Sequence, residues 1–250
     1  MIFSGVSVAL ATLFDEKLQV DVAATTDHAA RLEELGCQAI VVAGSTGEAA
    51  ALDRSERAAL TTAIKAAVSV PVLVGTGAPT PYQAAQFTTD AVEAGADGIL
   101  ALSPPGPNDL RSYYTVLAHL AGDLPLLGYH LPRVSAPGIP IGMLSELPIV
   151  GFKDSSGDAG RLLAALNEYE GDTIVGAPTL LSMAGSMGAA GAILAAANAE
   201  PERCIAAWSG DPDAQLALHE TVVACQAPLE DGLKHLMAER FGTSTASRVR

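Results

Sequence analysis

The sequence predicts an α/β fold, a (β/α)8 TIM barrel, from three observations. Short runs rich in Val, Ile and Leu recur at the spacing of a βα unit, each is followed by an amphipathic Ala/Leu stretch, and eight such units fit the 250-residue length. The runs read as strands over 6–13, 39–43, 70–75, 98–102, 125–129, 149–153, 173–176 and 190–196. Asp53 and Asp158 stand where helix N-caps belong, and Gly36 and Gly95 where a left-handed helix stop belongs. Glu34-Leu35-Gly36-Cys37-Gln38-Ala39-Ile40 and Glu93-Ala94-Gly95-Ala96-Asp97-Gly98-Ile99 repeat one helix–glycine–strand connection. A doubly wound open sheet shares this grammar, but eight units in this length favour closure. Beyond the eighth strand, residues 201–210, 213–225 and 228–241 read as three further helices, more than closure needs. The barrel is therefore assigned to residues 1–210 and a helical extension packed on it to 211–250, the two forming one structural unit.

Composition narrows the function classes. A 49% hydrophobic content supplies one large core, and no Pro/Gly/Ser-rich linker divides the chain. The net charge of −14 argues against nucleic acid or an anionic membrane surface as partner, but leaves room for a small anionic substrate held by local donors. Cys37, Cys204 and Cys225 are scattered and odd in number, so neither a disulfide framework nor a metal site is indicated, and a reducing cytoplasm is the expected compartment. Met1-Ile2-Phe3-Ser4-Gly5 lacks the features of a signal peptide, and no apolar run reaches membrane-spanning length.

In a parallel barrel the active site gathers at the carboxyl ends of the strands, so polar residues that close apolar runs are the candidates. The first is Ile149-Val150-Gly151-Phe152-Lys153-Asp154, where a lysine ends an apolar strand. Lys17, Lys65 and Lys234 sit in loop or helix settings where solvation accounts for them. A lysine among barrel side chains loses hydration, which favours the neutral amine that attacks a carbonyl; the competing reading is an ion pair with Asp154 or another barrel carboxylate. The second is Gly44-Ser45-Thr46-Gly47-Glu48, a turn able to aim backbone N–H groups and two hydroxyls at a carboxylate, or simply a tight βα connection. Glu48 reads as a base or as a helix-start carboxylate. The third is Gly128-Tyr129-His130-Leu131-Pro132-Arg133, with a phenol one βα unit before Lys153. Tyr129 could relay a proton or simply pack its ring; His130 reads as a satisfied histidine in preference to a base, and Arg133 as a surface residue in preference to a carboxylate clamp.

In this order the segments resemble the dihydrodipicolinate synthase/N-acetylneuraminate lyase family of pyruvate-dependent class I aldolases. The likeness starts at Val8-Ala9-Leu10-Ala11-Thr12-Leu13-Phe14 and runs through Gly44 to Glu48, Leu52-Asp53-Arg54-Ser55-Glu56-Arg57 and Val74-Gly75-Thr76-Gly77. It continues through Tyr129 to Pro132, Gly151 to Asp158, and Gly188-Ala189-Ala190-Gly191 leading to Ala197-Asn198. The resemblance implies Lys153 as the Schiff-base lysine, Tyr129 as the proton-relaying phenol, and Ser45 and Thr46 as holders of the 2-oxo acid carboxylate that connect the relay. It further implies Gly47 and Ile193 as substrate-binding residues, pyruvate and an aldehyde as substrates, no metal or dissociable cofactor, and a homo-oligomer, dimer or tetramer.

Two departures bear on the substrate. The family's synthases carry two adjacent tyrosines after strand four, where this chain has Ser103-Pro104-Pro105-Gly106-Pro107, and an arginine two residues after the strand-five proline, where it has Val134. The expected branch is therefore the aldolases of 2-keto-3-deoxy sugar acids. Dihydrodipicolinate synthase itself, condensing pyruvate with aspartate semialdehyde, is the alternative within the family, and a non-catalytic 2-oxo acid binding barrel the alternative of another class. A sugar-phosphate barrel would need a glycine-rich cradle after strands seven and eight, where the chain has Ala177-Pro178 and Asn198-Ala199-Glu200.

Overall fold

The computed structural model describes residues 2–249; Met1 and Arg250, the outer ends of the predicted barrel and extension, lie outside the described residues. Eight parallel strands, each paired with the next and β8 with β1, close a barrel: β1 (Gly5–Ala9), β2 (Ile40–Val42), β3 (Val72–Gly75), β4 (Gly98–Leu102), β5 (Leu126–His130), β6 (Gly151–Asp154), β7 (Asp172–Val175) and β8 (Gly191–Leu194). Strand alternation splits the apolar runs between two destinations. Val41, Leu73, Leu100, Leu127, Ile174 and Ile193 fill the barrel interior, while Ile40, Val42 and Val72, and on the far side Ile99, Leu126 and Phe152, pack outward under the helices. Burial on both faces is why the runs are apolar throughout instead of alternating.

The helices around the barrel are α1 (Val22–Glu34), α2 (Arg54–Ala67), α3 (Pro81–Glu93), α4 (Leu110–Ala121), α5 (Ala159–Glu168), α6 (Leu181–Ser186) and α7 (Pro201–Trp208). Asp53 caps α2 in a reciprocal capping box, its carboxylate accepting from Glu56 N–H at 2.8 Å while Glu56 accepts from Asp53 N–H at 3.0 Å. Such a cap contributes about 1 kcal/mol. Asp158 caps α5 one way only, accepting from Arg161 N–H at 3.0 Å, and Gly36 and Gly95 adopt the left-handed φ values of +100° and +85° that end α1 and α3.

Three expectations need correction. The run 6–13 leaves the sheet after Ala9, where Ala11 N–H donates to Asn198 Oδ1 at 2.9 Å and Leu13 N–H to Thr25 Oγ1 at 3.0 Å. Ala11 and Leu13 are apolar because they pack on Leu233 and Met237, outside the sheet. Second, β5 and β6 are joined without an α-helix: Pro132, Pro137 and Pro140 withhold N–H donors from the connection, and only a 3-10 stretch, Ile141–Glu146, forms. Third, α7 is the eighth unit's own helix, so the additional helices among the described residues are two, α8 (Pro212–Ala224) and α9 (Leu233–Phe241). The last starts five residues later than expected, because residues 228–232 form a turn ending at Gly232.

Candidate active site

Alternation along β6 sends Lys153 into the barrel and Asp154 outward. Lys153 is only 5% exposed. Asp154 pairs instead with Arg161 of α5 at 2.6 Å and accepts from Ser156 N–H at 2.8 Å, so the predicted competing ion pair does not form, and among the described residues no carboxylate pairs with Lys153. Tyr129 is the register partner of Lys153 on β5, and the amine lies 4.3 Å from the centre of its ring. Burial opposes ionisation of the Tyr129 phenol, but the Lys153 charge and hydrogen bonds with Ser155, Lys153 and Ser45 outweigh it and hold the phenol below its ordinary range.

These groups open on one cavity of about 520 Å³ at the carboxyl ends of the strands. Ser45 and Thr46 line it together with Lys153 and Tyr129, so the structure brings four predicted site residues, from three different βα units, to one cavity. Gly47 and Ile193 are not among the residues that line it. Gly47 supports the turn from behind: its carbonyl accepts from Thr12 Oγ1 at 2.7 Å, and a Cβ there would lie 2.8 Å from the Leu10 carbonyl oxygen. Ile193 is fully buried in the interior cluster that also contains Tyr129. Among the described residues no group of three His, Cys, Asp or Glu side chains is placed to hold a metal.

His130, on the opposite face of β5 from Tyr129, is a satisfied histidine. Its Nδ1 accepts from Ile139 N–H at 2.9 Å, and burial, with the Arg161 cation, lowers its imidazole below the ordinary value. Arg133 is exposed, as its surface reading expected, and its exposed position lies at the mouth of the cavity. Glu48 is turned away from the cavity, and Lys234, expected in solvent, is fully buried against it at 2.5 Å. Residues 103–107 place no phenol in the site; Tyr113 and Tyr114 of α4 donate to the carbonyls of Leu102 and Ala101, each at 3.0 Å, and burial pushes both phenols up.

Sequence reasoning missed two contributors. Gly176, just past β7, leaves room for the amine: a Cβ there would fall 1.9 Å from Ser155 Oγ and 2.8 Å from Lys153 Cε. A glycine ending the apolar run one unit after Lys153 was the available signal. Ser155, inside a motif that drew attention only for its lysine, lies 3.4 Å from the Tyr129 hydroxyl. The outer wall comes from Val222, Cys225 and Leu229 of the α8–α9 region, which carries no polar signature to mark it.

The model of the dihydrodipicolinate synthetase family matches residues 2–233. The 4-hydroxy-tetrahydrodipicolinate synthase of Natronomonas pharaonis is 33% identical over 216 residues, covering 82% of this chain and 73% of that protein. A probable mitochondrial 4-hydroxy-2-oxoglutarate aldolase of Emericella nidulans is 35% identical over 227 residues, covering 80% and 71%. Among solved structures, dihydrodipicolinate synthase from Aquifex aeolicus superposes with a TM-score of 0.86 at 27% identity over 98% of this chain and 91% of that one. The Ruminococcus gnavus sialic acid aldolase, at 16% identity, gives 0.89 over 99% and 90%, a likeness of fold alone. With the barrel, its strand-end lysine and these relatives in agreement, the chain belongs to the dihydrodipicolinate synthetase family and is a carbon–carbon lyase of the pyruvate-dependent class I aldolase kind.

Proposed function

We propose that Lys153 forms a Schiff base with pyruvate or a closely similar 2-oxo acid and that Tyr129 moves the protons of the reaction. The observation that carries this reading is the seating of Lys153, buried, without a carboxylate partner among the described residues, beside a phenol on the wall of a cavity. The amine adds to the ketone carbon as the Tyr129 phenol gives its proton to the oxygen; the phenolate then passes a proton from the nitrogen to the new hydroxyl, water leaves and the iminium forms, with Tyr129 left as the base for the next step. Loss of a proton from the adjacent carbon gives a neutral enamine, which attacks the aldehyde carbon as a proton passes to the aldehyde oxygen, and hydrolysis returns the free lysine. Run backwards, the same steps cleave the bond. Ser45 and Thr46 hold the carboxylate, and the Ser45 hydrogen bond to Tyr129 connects that end of the substrate to the relay. Gly47 and Ile193 act behind them, one letting the turn close and the other backing the phenol. This chemistry draws on no metal and no dissociable cofactor.

For the aldehyde, the absence of a tyrosine pair at residues 103–107 supports a 2-keto-3-deoxy sugar acid as the substrate cleaved. A second reading, an aldehyde that itself carries a carboxylate, is favoured by Arg133 at the cavity mouth. Borohydride reduction with pyruvate followed by peptide mass mapping tests the first claim: an adduct on Lys153 is expected, and an adduct that survives Lys153→Ala would sink it. Pyruvate release from a panel of 2-keto-3-deoxy acids, run beside condensation with aspartate semialdehyde and with glyoxylate, separates the two aldehyde readings. Arg133→Ala is expected to weaken only the carboxylated aldehydes, by roughly tenfold in KM.

A further inference from the structure

The turn that carries Ser45 and Thr46 is anchored from a part of the chain about two hundred residues away. Glu48, the residue that follows Gly47, is buried with the left-handed φ of +56°, and Ala43 on the other side of the turn has φ +52°. Two non-glycine residues in that region each cost on the order of 1 kcal/mol, so the turn keeps its shape only where its surroundings fix it. Glu48 Oε1 takes the Lys234 ammonium of α9 at 2.5 Å. Its Oε2 accepts from the N–H groups of Arg248 and Val249 at 2.7 and 3.1 Å, with Ser247 Oγ at 3.1 Å. Lys234 closes the circuit by donating to the Ala246 carbonyl at 2.6 Å.

Arg248 extends the same attachment along the turn. Its guanidinium donates to the Ala51 carbonyl at 2.9 Å and to both oxygens of Glu56 at 2.8 and 2.7 Å, and lies 4.8 Å over the Phe14 ring. From the other side Arg57 of α2 donates to the Ala49 and Leu52 carbonyls, and Thr12 to that of Gly47. Arg57 and Thr12 belong to the barrel and fix the turn as the barrel folds. Residues 246–249 are not part of the barrel, and nothing in the closure of the sheet needs them at Glu48.

We propose that Glu48 is a positioning residue, and that residues 246–249 with Lys234 form a strap that sets the Ser45–Thr46 hydroxyls for the substrate carboxylate. Its consequence for substrate rests on the reading of Lys153 and pyruvate given above; the mechanical link does not. Two full-length variants test it. Ser247→Ala combined with Arg248→Ala removes the buried Ser247 hydroxyl and the part-buried Arg248 guanidinium from the strap, and Glu48→Gln combined with Lys234→Met removes the buried charges together, so that neither is left unpaired.

Hydrogen–deuterium exchange over residues 43–52 is expected to accelerate in both variants while exchange in β6 stays as in the parent. In borohydride trapping, the pyruvate concentration giving half the maximal rate should rise about tenfold with the maximal rate nearly unchanged, since the chemistry at Lys153 is intact and only orientation is lost. A loss of overall stability would move both strands and turn, and a catalytic role for Glu48 would lower the maximal rate. Unchanged exchange over 43–52 in both variants overturns the strap, and faster exchange with an unaltered half-saturation overturns its role in binding. If the parent protein gives no adduct with pyruvate, the Schiff-base reading fails and the strap is judged on exchange alone.

Discussion

At the scale of the residue, Lys153 and Tyr129 depend on each other. The amine supplies much of the attraction that lowers the phenol, and the phenol ring lies 4.3 Å from the amine. Tyr129→Phe is expected to lower the trapping rate with pyruvate by roughly a hundredfold while leaving the thermal midpoint nearly unchanged. A loss smaller than threefold, on the order of 0.6 kcal/mol, would show that the phenol is packed and idle. Because the phenol is lowered, the parent rate should fall on the alkaline side before the pH at which a free phenol ionises, and this limb should vanish in the Tyr129→Phe protein. Much of this was legible. Lys153 and Tyr129 could be placed because each closes an apolar run, and Asp53 and Asp158 because capping chemistry is local. Arg133 is solvent-facing, as a cation after a proline reads, but that its exposed position borders the cavity was not legible until the strand ends were arranged in space.

At the scale of the element, the site is made by strand ends and the short connections that follow them. The Asp154–Arg161 pair joins the end of β6 to α5, and Arg161 also donates to the Ile139 carbonyl, so the segment after β5 is held by the same side chain that takes Asp154 away from Lys153. β7 contributes absence of bulk. Gly176→Ala would drive a methyl into Ser155 Oγ and Lys153 Cε, where neither can withdraw without leaving the site. That substitution should reduce adduct formation at least tenfold with a loss of global stability of no more than about 2 kcal/mol, read by trapping and urea unfolding on one preparation. Wild-type trapping kinetics in this variant would remove Gly176 from the account. The eight strands were visible in the sequence because two-sided burial leaves unbroken apolar runs. The 3-10 connection Ile141–Glu146 was not, because its composition resembles a helical stretch and only the prolines before it argue otherwise.

At the scale of the whole molecule, α8 and α9 finish what the barrel begins. They and the turn between them supply the outer cavity wall through Val222, Cys225 and Leu229, and the end of α9 packs on the middle of α1, where Phe241 lies 5.6 Å from the His28 ring. Burial, helped by the Arg31 charge, lowers the His28 imidazole from 6.5 to about 4. Between those values the unfolded chain takes up a proton that the native one does not. Stability is therefore complete above pH 6.5 and is lost as pH falls toward 4, by about 3 kcal/mol over the window. Urea unfolding from pH 8 to 4 should show this decline, and His28→Gln should flatten it; an unaltered slope would place the acid sensitivity elsewhere. On the cavity side, Val222→Phe is expected to shift preference toward shorter aldehydes without changing the half-saturation for pyruvate, measured with two aldehydes of different length.

The sequence by itself determined the barrel, its helix boundaries at capping residues, and the lysine and tyrosine at adjacent strand ends, since these rest on local periodicity and on chemistry carried by single positions. Only the tertiary structure decided what surrounds them: that Asp154 turns to Arg161, that Gly176 clears space for the amine, that Arg133 borders the cavity, and that Lys234 and residues 246–249 meet Glu48. Each of these joins positions distant in sequence. Such contacts arise when closure of the sheet and docking of α8 and α9 bring separate surfaces together, and no local pattern along the chain records which surfaces those are.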